Sequence, residues 1–292
     1  MIVLDKSPKI TTTITIIKKI RLAFLLIPTF LTFFMFSPRF LSKYNAVIIQ
    51  CRCLPAYMKR VNIRPVKQGT GELVELYLEN GLTGGRLLCP QNLFPGPGQY
   101  LLAHDGSPVR RGLGRPAFNA GSIPGGFLIA PPIPQTWKPG MALSLRGPLG
   151  CGFSLPVSAR YVALATLGET SARLKPLLTA ALESGAAVVL VSDLDLSDLP
   201  PEVEIQPVSA LAEVSRWADY LALDLPRESL PGLRMQLGID EQTRVRDDAQ
   251  ILVRTPMPCG GMGECGVCAV TVRRGWKMAC KNGPVFYLNE LI

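Results

Sequence analysis

The sequence predicts a multidomain protein of β plus α/β class: a small antiparallel β-barrel, a parallel α/β sandwich, and a cysteine-rich C-terminal segment. Three observations carry this. Across residues 58–156, short β-favouring runs are separated by Pro and Gly clusters, the pattern of a small barrel. Across 157–254, strand-like runs alternate with helical stretches, which argues for a parallel sheet covered by helices. Across 255–292, four of the chain's eight cysteines fall in one glycine-rich stretch.

Residues 1–57 stand apart from these three domains. The net charge of +9 is concentrated near the N-terminus: residues 1–60 carry ten Lys and Arg against Asp5 alone, and the remaining chain carries 21 of each sign. No basic stripe is left in the globular part, which excludes nucleic acid as a partner. The apolar run Leu22–Phe36 follows Lys18, Lys19 and Arg21. It is shorter than the ~20 residues that span a bilayer, is interrupted by Pro28, and has no small-residue cleavage site after it. It reads as an extension upstream of Met58, with a membrane anchor or an export signal as alternatives. A cytoplasmic protein is expected, or a membrane-associated one if residues 22–36 act as an anchor.

The barrel strands are expected at Val61–Val66, Gly71–Glu79, Gly98–Ala103, Gly126–Ala130 and Met141–Arg146. Turns such as Pro95-Gly96-Pro97-Gly98 and Pro131-Pro132-Ile133-Pro134 punctuate them. In the α/β part, strands are expected at Tyr161–Thr166, Ala187–Ser192, Val203–Val208, Tyr220–Leu223 and Gln250–Arg254. Helices are expected at Ser171–Ser184, Ser209–Trp217 and Glu228–Gly238. Hydrophobic content of 48% with 18% charged residues suits such packed domains.

Cys259, Cys265, Cys268 and Cys280 are spaced C-x5-C-x2-C-x11-C, with Gly260, Gly261, Gly263, Gly266 and Gly275 among them. Thiolates this close in sequence converge only if the backbone bends sharply, which glycine permits. The same bends aim N–H groups inward, toward sulfur. Ala269–Val272 and Trp276–Cys280 read as two strands around an Arg-Arg-Gly turn, returning Cys280 as a fourth ligand. Arg273, Arg274, Lys277 and Lys281 supply either counter-charge or a solvated face. A lone C-x2-C flanked by single cysteines is closest to the plant-type [2Fe–2S] pattern. Structural zinc and a pair of disulfides stay open as alternatives. A Rieske centre is excluded, because His104 is the only histidine.

This stretch, followed by Lys281-Asn282-Gly283-Pro284-Val285-Phe286, resembles the C-terminus of the electron-transfer subunit of the NAD-linked dihydroorotate dehydrogenases, although its first gap holds five residues rather than four. Arg146-Gly147-Pro148-Leu149-Gly150-Cys151-Gly152-Phe153 is similar to the G-P-L-G-N-G-F that closes the flavin-binding barrel of that family, with Cys151 in place of Asn. The resemblance implies a ferredoxin-reductase-like α/β sandwich and a [2Fe–2S] cluster on the four cysteines. It also implies FAD near Arg115, Ser122, Gly147, Leu149 and Gly150. The partner would be an FMN-containing dihydroorotate dehydrogenase catalytic subunit in pyrimidine biosynthesis, with an acceptor such as NAD.

The residues depart from that family in two places. The Ser of its R-P-x-S motif is displaced to Ser122, and its glycine-rich turn is replaced by Ala130-Pro131-Pro132, where proline offers no N–H to an anion. The turn Thr166-Leu167-Gly168-Glu169-Thr170-Ser171 has one glycine and an acid. It reads as a capped helix start rather than an NAD cradle. With no nucleophile–base pair in the sequence, the chain reads as a non-catalytic subunit. The alternative is a degenerate reductase-like scaffold that binds only the cluster, or a structural zinc.

Overall fold

The computed structural model describes residues 66–106, 114–196, 199–240 and 246–292. The extension at 1–57 and all but the last residue of the strand expected at Val61–Val66 lie outside them.

Six antiparallel strands close the barrel: β1 (Lys67–Glu79), β2 (Leu82–Leu88), β3 (Tyr100–His104), β4 (Arg115–Ile123), β5 (Gly126–Ile129) and β6 (Met141–Leu149), in the spatial order β1-β2-β5-β4-β3-β6. Alternating inward residues fill it, with Leu73, Leu87, Leu101, Phe127, Leu143 and Leu145 almost wholly buried. Two strands were not expected from the sequence. β2 contains Gly84-Gly85, poor strand formers, yet a Cβ at Gly84 would collide with the Tyr77 ring and one at Gly85 with Leu73. Glycine is therefore what lets these side chains of β1 fold over β2. β4 contains the Arg115-Pro116 pair that the resemblance assigns to flavin, and the sequence gives no other sign of a strand there.

The second sheet has the order β14-β11-β10-β7-β8-β9. Its parallel members are β7 (Tyr161–Thr166), β8 (Ala187–Val191), β9 (Val203–Gln206), β10 (Tyr220–Pro226) and β11 (Ala249–Arg254). Helices α1 (Lys175–Glu183) and α2 (Leu211–Trp217) pack on it, followed by the single turn α3 (Leu233–Gln236). Pro176 sits in the first turn of α1, where its missing N–H costs no helical bond. The expected helix at Glu228–Gly238 is mostly a 3-10 stretch, Arg227–Gly232, because Pro231 interrupts it. The helix start expected to be capped by Thr170 or Ser171 is a 3-10 turn, Ala172–Leu174, that begins after Ser171 with no side-chain cap; Thr170 Oγ1 accepts the Ala172 N–H at 3.0 Å just before it.

The C-terminal segment forms the hairpin β12 (Ala269–Val272) and β13 (Gly275–Met278), the turn α4 (Ala279–Asn282), β14 (Val285–Tyr287) and the turn α5 (Leu288–Leu291). Cys280 is thus on a helical turn and not at a strand end. β14 pairs antiparallel with β11, so the tail after the last cysteine is the sixth strand of the sheet. Among the described residues, no helix is long and apolar enough to cross a membrane.

Candidate metal centre

All five glycines between Cys259 and Cys280 have positive φ, from 64° at Gly260 to 96° at Gly275. The left-handed bends at Gly260, Gly261 and Gly263 fold the five-residue first gap back on itself. The result is visible at Cys259. Burial opposes its ionisation, yet hydrogen bonds from the Gly263 backbone, the Cys265 thiol, and the Glu264 and Cys265 backbones outweigh that and bring it down to about 6. The loop therefore forms a small nest of N–H groups around one sulfur.

Cys280 shows the opposite response. Burial, then hydrogen bonding and charge from the Cys268 and Cys259 thiols, push it up to about 12. Contacts therefore run from Cys265 to Cys259, to Cys280, to Cys268, and all four sequence-predicted cysteines are brought together. The hairpin does this by pairing Ala269 with Met278 and by the Ala279 N–H to Cys268 carbonyl bond of 3.0 Å. Cys268 and Cys280 are buried, Cys259 is half-buried and Cys265 is exposed. Among the described residues no three His, Cys, Asp or Glu side chains stand close enough together to hold a metal ion as they lie; the thiols meet in pairs. Cys89 packs beside the barrel core and Cys151 is exposed; neither contributes a contact to the four.

Three side chains that the sequence reading gave no role hold the loop. The Tyr100 hydroxyl on β3 donates to the Cys280 carbonyl at 3.0 Å, and Arg146 on β6 donates to the Gly260 carbonyl at 3.1 Å. Arg227 donates to the carbonyls of Val267 and Ala269 at 2.8 and 3.0 Å. Burial raises the Tyr100 phenol far above its ordinary value, with the negative potential of Cys280, Cys268 and Cys259 adding to it. It is a fixed neutral donor at any working pH.

The two sequence motifs behind the resemblance, more than 130 residues apart, touch. The Cys151 N–H donates to the Gly283 carbonyl at 2.6 Å, and Cys151 and Pro284 form a parallel bridge. A Cβ at Gly150, whose φ is 77°, would come within 2.6 Å of Pro284 and 2.7 Å of the Gly283 oxygen. The Pro-Leu-Gly turn is thus the seat of the C-terminal tail.

Residues 255–292 match the family model of the iron–sulfur cluster binding domain of dihydroorotate dehydrogenase B. The C-terminal segment is similar to that family. Beyond this dihydroorotate dehydrogenase B segment, the fold is similar to the NADH-dependent reduced ferredoxin–NADP oxidoreductase of flavin-based electron bifurcation. That match has 19% identity and a TM-score of 0.59, and covers 76% of this chain and 89% of that one. It is also similar to the ferredoxin reductase of carbazole 1,9a-dioxygenase, at 16% identity and a TM-score of 0.50, covering 65% and 69%. At these identities the likeness establishes the fold alone, a six-stranded barrel followed by a ferredoxin-reductase-like α/β sandwich. Segment and fold together support the electron-transfer-subunit resemblance.

The five residues assigned to flavin behave differently from the cysteines. Arg115 and Ser122 lie exposed near opposite ends of β4, separated by on the order of 20 Å at ~3.3 Å per residue. Arg115 borders an open groove of about 530 Å³ with Ile129, Pro132, Thr136 and Trp137. Two N–H groups along the groove's backbone are already committed, Ile133 to Thr83 and Trp137 to Pro134. Leu149 and Gly150 lie against the cluster segment, Leu149 packed in the same core as Cys259, Cys268 and Cys280, whereas Gly147 lies against Tyr100 and Leu101 of the barrel.

Proposed function

We propose that this protein is an electron-transfer subunit that holds a [2Fe–2S] cluster on Cys259, Cys265, Cys268 and Cys280. It would relay electrons from an FMN-containing, dihydroorotate-oxidising catalytic subunit, in pyrimidine biosynthesis. The observation that carries this is the convergence of four thiols, in linked pairs, inside the segment matched by the cluster-binding family. A [2Fe–2S] cluster would be held by all four thiolates, and their meeting in pairs suits it. A cluster bound there supplies one-electron storage.

The chain's own groups prepare for this in three ways. The nest at Gly263–Cys265 stabilises negative charge on Cys259 and presents donors to sulfur. Burial of Cys268 and Cys280 keeps water from half of the ligand set, whereas the exposed Cys265 marks the side open to a partner. Tyr100 and Arg146 anchor the loop to the barrel, and Arg227 anchors it to the α/β sheet. The thiols are therefore held before metal arrives. Lys281, whose stem lies beside Gly263, adds positive charge at the rim.

The test is anaerobic purification of the full chain with iron, sulfide and zinc analysis, and electron paramagnetic resonance after dithionite. Two irons and a reduced-state signal are expected. One zinc per chain, with failed reconstitution, contradicts the cluster. Co-purification with the catalytic subunit tests the partner.

A further inference from the structure

The order of the α/β sheet reverses between β7 and β10, and in open sheets of this kind a ligand binds at that point, outside the carboxyl ends of the strands. In this protein the point is taken by the protein's own charges. Asp224, on β10, is completely buried and pairs across from Thr166 of β7. Its carboxylate accepts Arg173 Nε at 2.9 Å and forms an ion pair with Arg254 Nε, also at 2.9 Å. Arg173, 5% exposed, continues to the barrel and donates Nη1 to the Pro131 carbonyl at 3.0 Å. Arg254 donates Nη2 to the Leu167 carbonyl at 2.9 Å, and its guanidinium covers Gly168 so closely that a Cβ there would overlap it.

The same closure continues along the seam. Ala172 packs directly on Ala120 and Ala130 of the barrel, closing the part of β4 around Ala120. Thr170 Oγ1 and Lys175 Nζ both bind Glu79 at the end of β1, at 3.0 and 2.7 Å. A pyrophosphate arriving here would meet Asp224 and Glu169, and its natural counter-charges, Arg173 and Arg254, are already paired.

We infer that Arg173, Asp224 and Arg254 form a latch standing where a dinucleotide would bind, so that the protein carries neither FAD nor NAD and works through one centre. The latch does a further task. Arg254 is the last residue of β11, and only Thr255-Pro256-Met257-Pro258 separate it from Cys259, so the latch fixes the root of the cluster loop. With no two-electron cofactor, the chain exchanges electrons singly. A partner's reduced flavin would then have to give up its two electrons one at a time, each passed on to a one-electron acceptor protein. This last statement rests on the electron-transfer reading, whereas the closed seam does not.

The test uses the full chain, after cluster reconstitution, titrated separately with FAD and with NADH. The expected results are no flavin retained through desalting, no quenching of flavin fluorescence, and no reduction by NADH alone. One FAD retained per chain, or direct reduction by NADH, overturns the latch while leaving the cluster reading intact. Conversely, a zinc-only protein that still refuses FAD overturns the cluster reading and leaves the latch standing. Arg173→Met should open the seam roughly a hundredfold more often, read as faster proteolysis between barrel and sheet, and should shift the cluster's reduction midpoint. Arg173→Lys should recover part of both. An Arg173→Met protein with unchanged proteolysis and midpoint contradicts the latch; if it does not fold, the FAD and NADH titrations of the unaltered chain decide.

Discussion

The cluster loop and the crevice between β7 and β10 are both places where this architecture can hold a cofactor, and the protein has treated them in opposite ways. In the loop, five left-handed glycines bend the backbone, and the four thiols have no counter-charge paired with them, their partners being one another and, for Cys268, the Met278 sulfur at 3.9 Å. In the crevice there is one glycine, covered by a guanidinium, and the charged groups are paired with one another. The comparison teaches that a binding site is recognised by ligating groups gathered without counter-charges of their own, whereas ion-paired side chains fill the crevice. Topology alone reserves a location and says nothing of whether it is vacant.

The largest effect should come from Cys268→Ser. This thiol is fully buried, so its loss cannot be replaced from solvent, and the visible absorption of the reconstituted protein should disappear while the barrel stays folded. Retention of full absorption would break the claim that the loop is the site. Next, Asp224→Asn leaves two buried guanidiniums facing a neutral group. It should cost roughly 3–5 kcal/mol, a fall in Tm on the order of 10 °C; an unchanged Tm would mean that the crevice is not a structural lock.

Tyr100→Phe removes one donor and leaves the Cys280 carbonyl unpaired in a buried place. A loss of about 1–3 kcal/mol is expected, together with faster cluster loss in air, compared by absorbance decay. The smallest effect concerns pH in the metal-free protein. The loop holds Cys259 at about 6, below the ordinary thiol value near 8.5. Its contribution to stability is thus complete above about 8.5 and is lost as pH falls through about 6. Denaturation of the metal-free protein across this window should show that slope, and Cys259→Ala should flatten it. Alkylation at neutral pH should modify Cys259 ahead of Cys280, whose thiol is buried and pushed up to about 12.

Much of this contrast could be read from the residues, but unevenly. β7 runs over Tyr161–Thr166 as expected, because an unbroken apolar run between polar turns has no other stable placement. The four cysteines were legible because spacing and glycine content are local. The replacement of the nucleotide turns was also legible, since Pro131-Pro132 and Glu169 lack what a phosphate needs. The latch was not. The strand at Tyr220 was expected to stop at Leu223, before the acid, yet it continues to Pro226 with Asp224 at its most buried point. The charges that compensate it come from 51 residues upstream and 30 downstream, a relation no local pattern carries. The signal available was the acid itself, single in the apolar run Leu221-Ala222-Leu223-Asp224-Leu225. β14 was hidden for another reason: three residues after a Gly-Pro pair are too few for a period, and pairing with β11 supplies what propensity does not. Tyr100 and Arg146 act through long-range bonds to main-chain carbonyls, which leave no mark in composition.

The most direct measurement is the iron, acid-labile sulfide, zinc and flavin content of the full chain purified anaerobically, with its absorption spectrum before and after dithionite. Two irons and two sulfides per chain, no flavin, and bleaching on reduction are predicted. One bound FAD per chain, or one zinc with no cluster on reconstitution, would contradict the account of a protein with a single [2Fe–2S] centre.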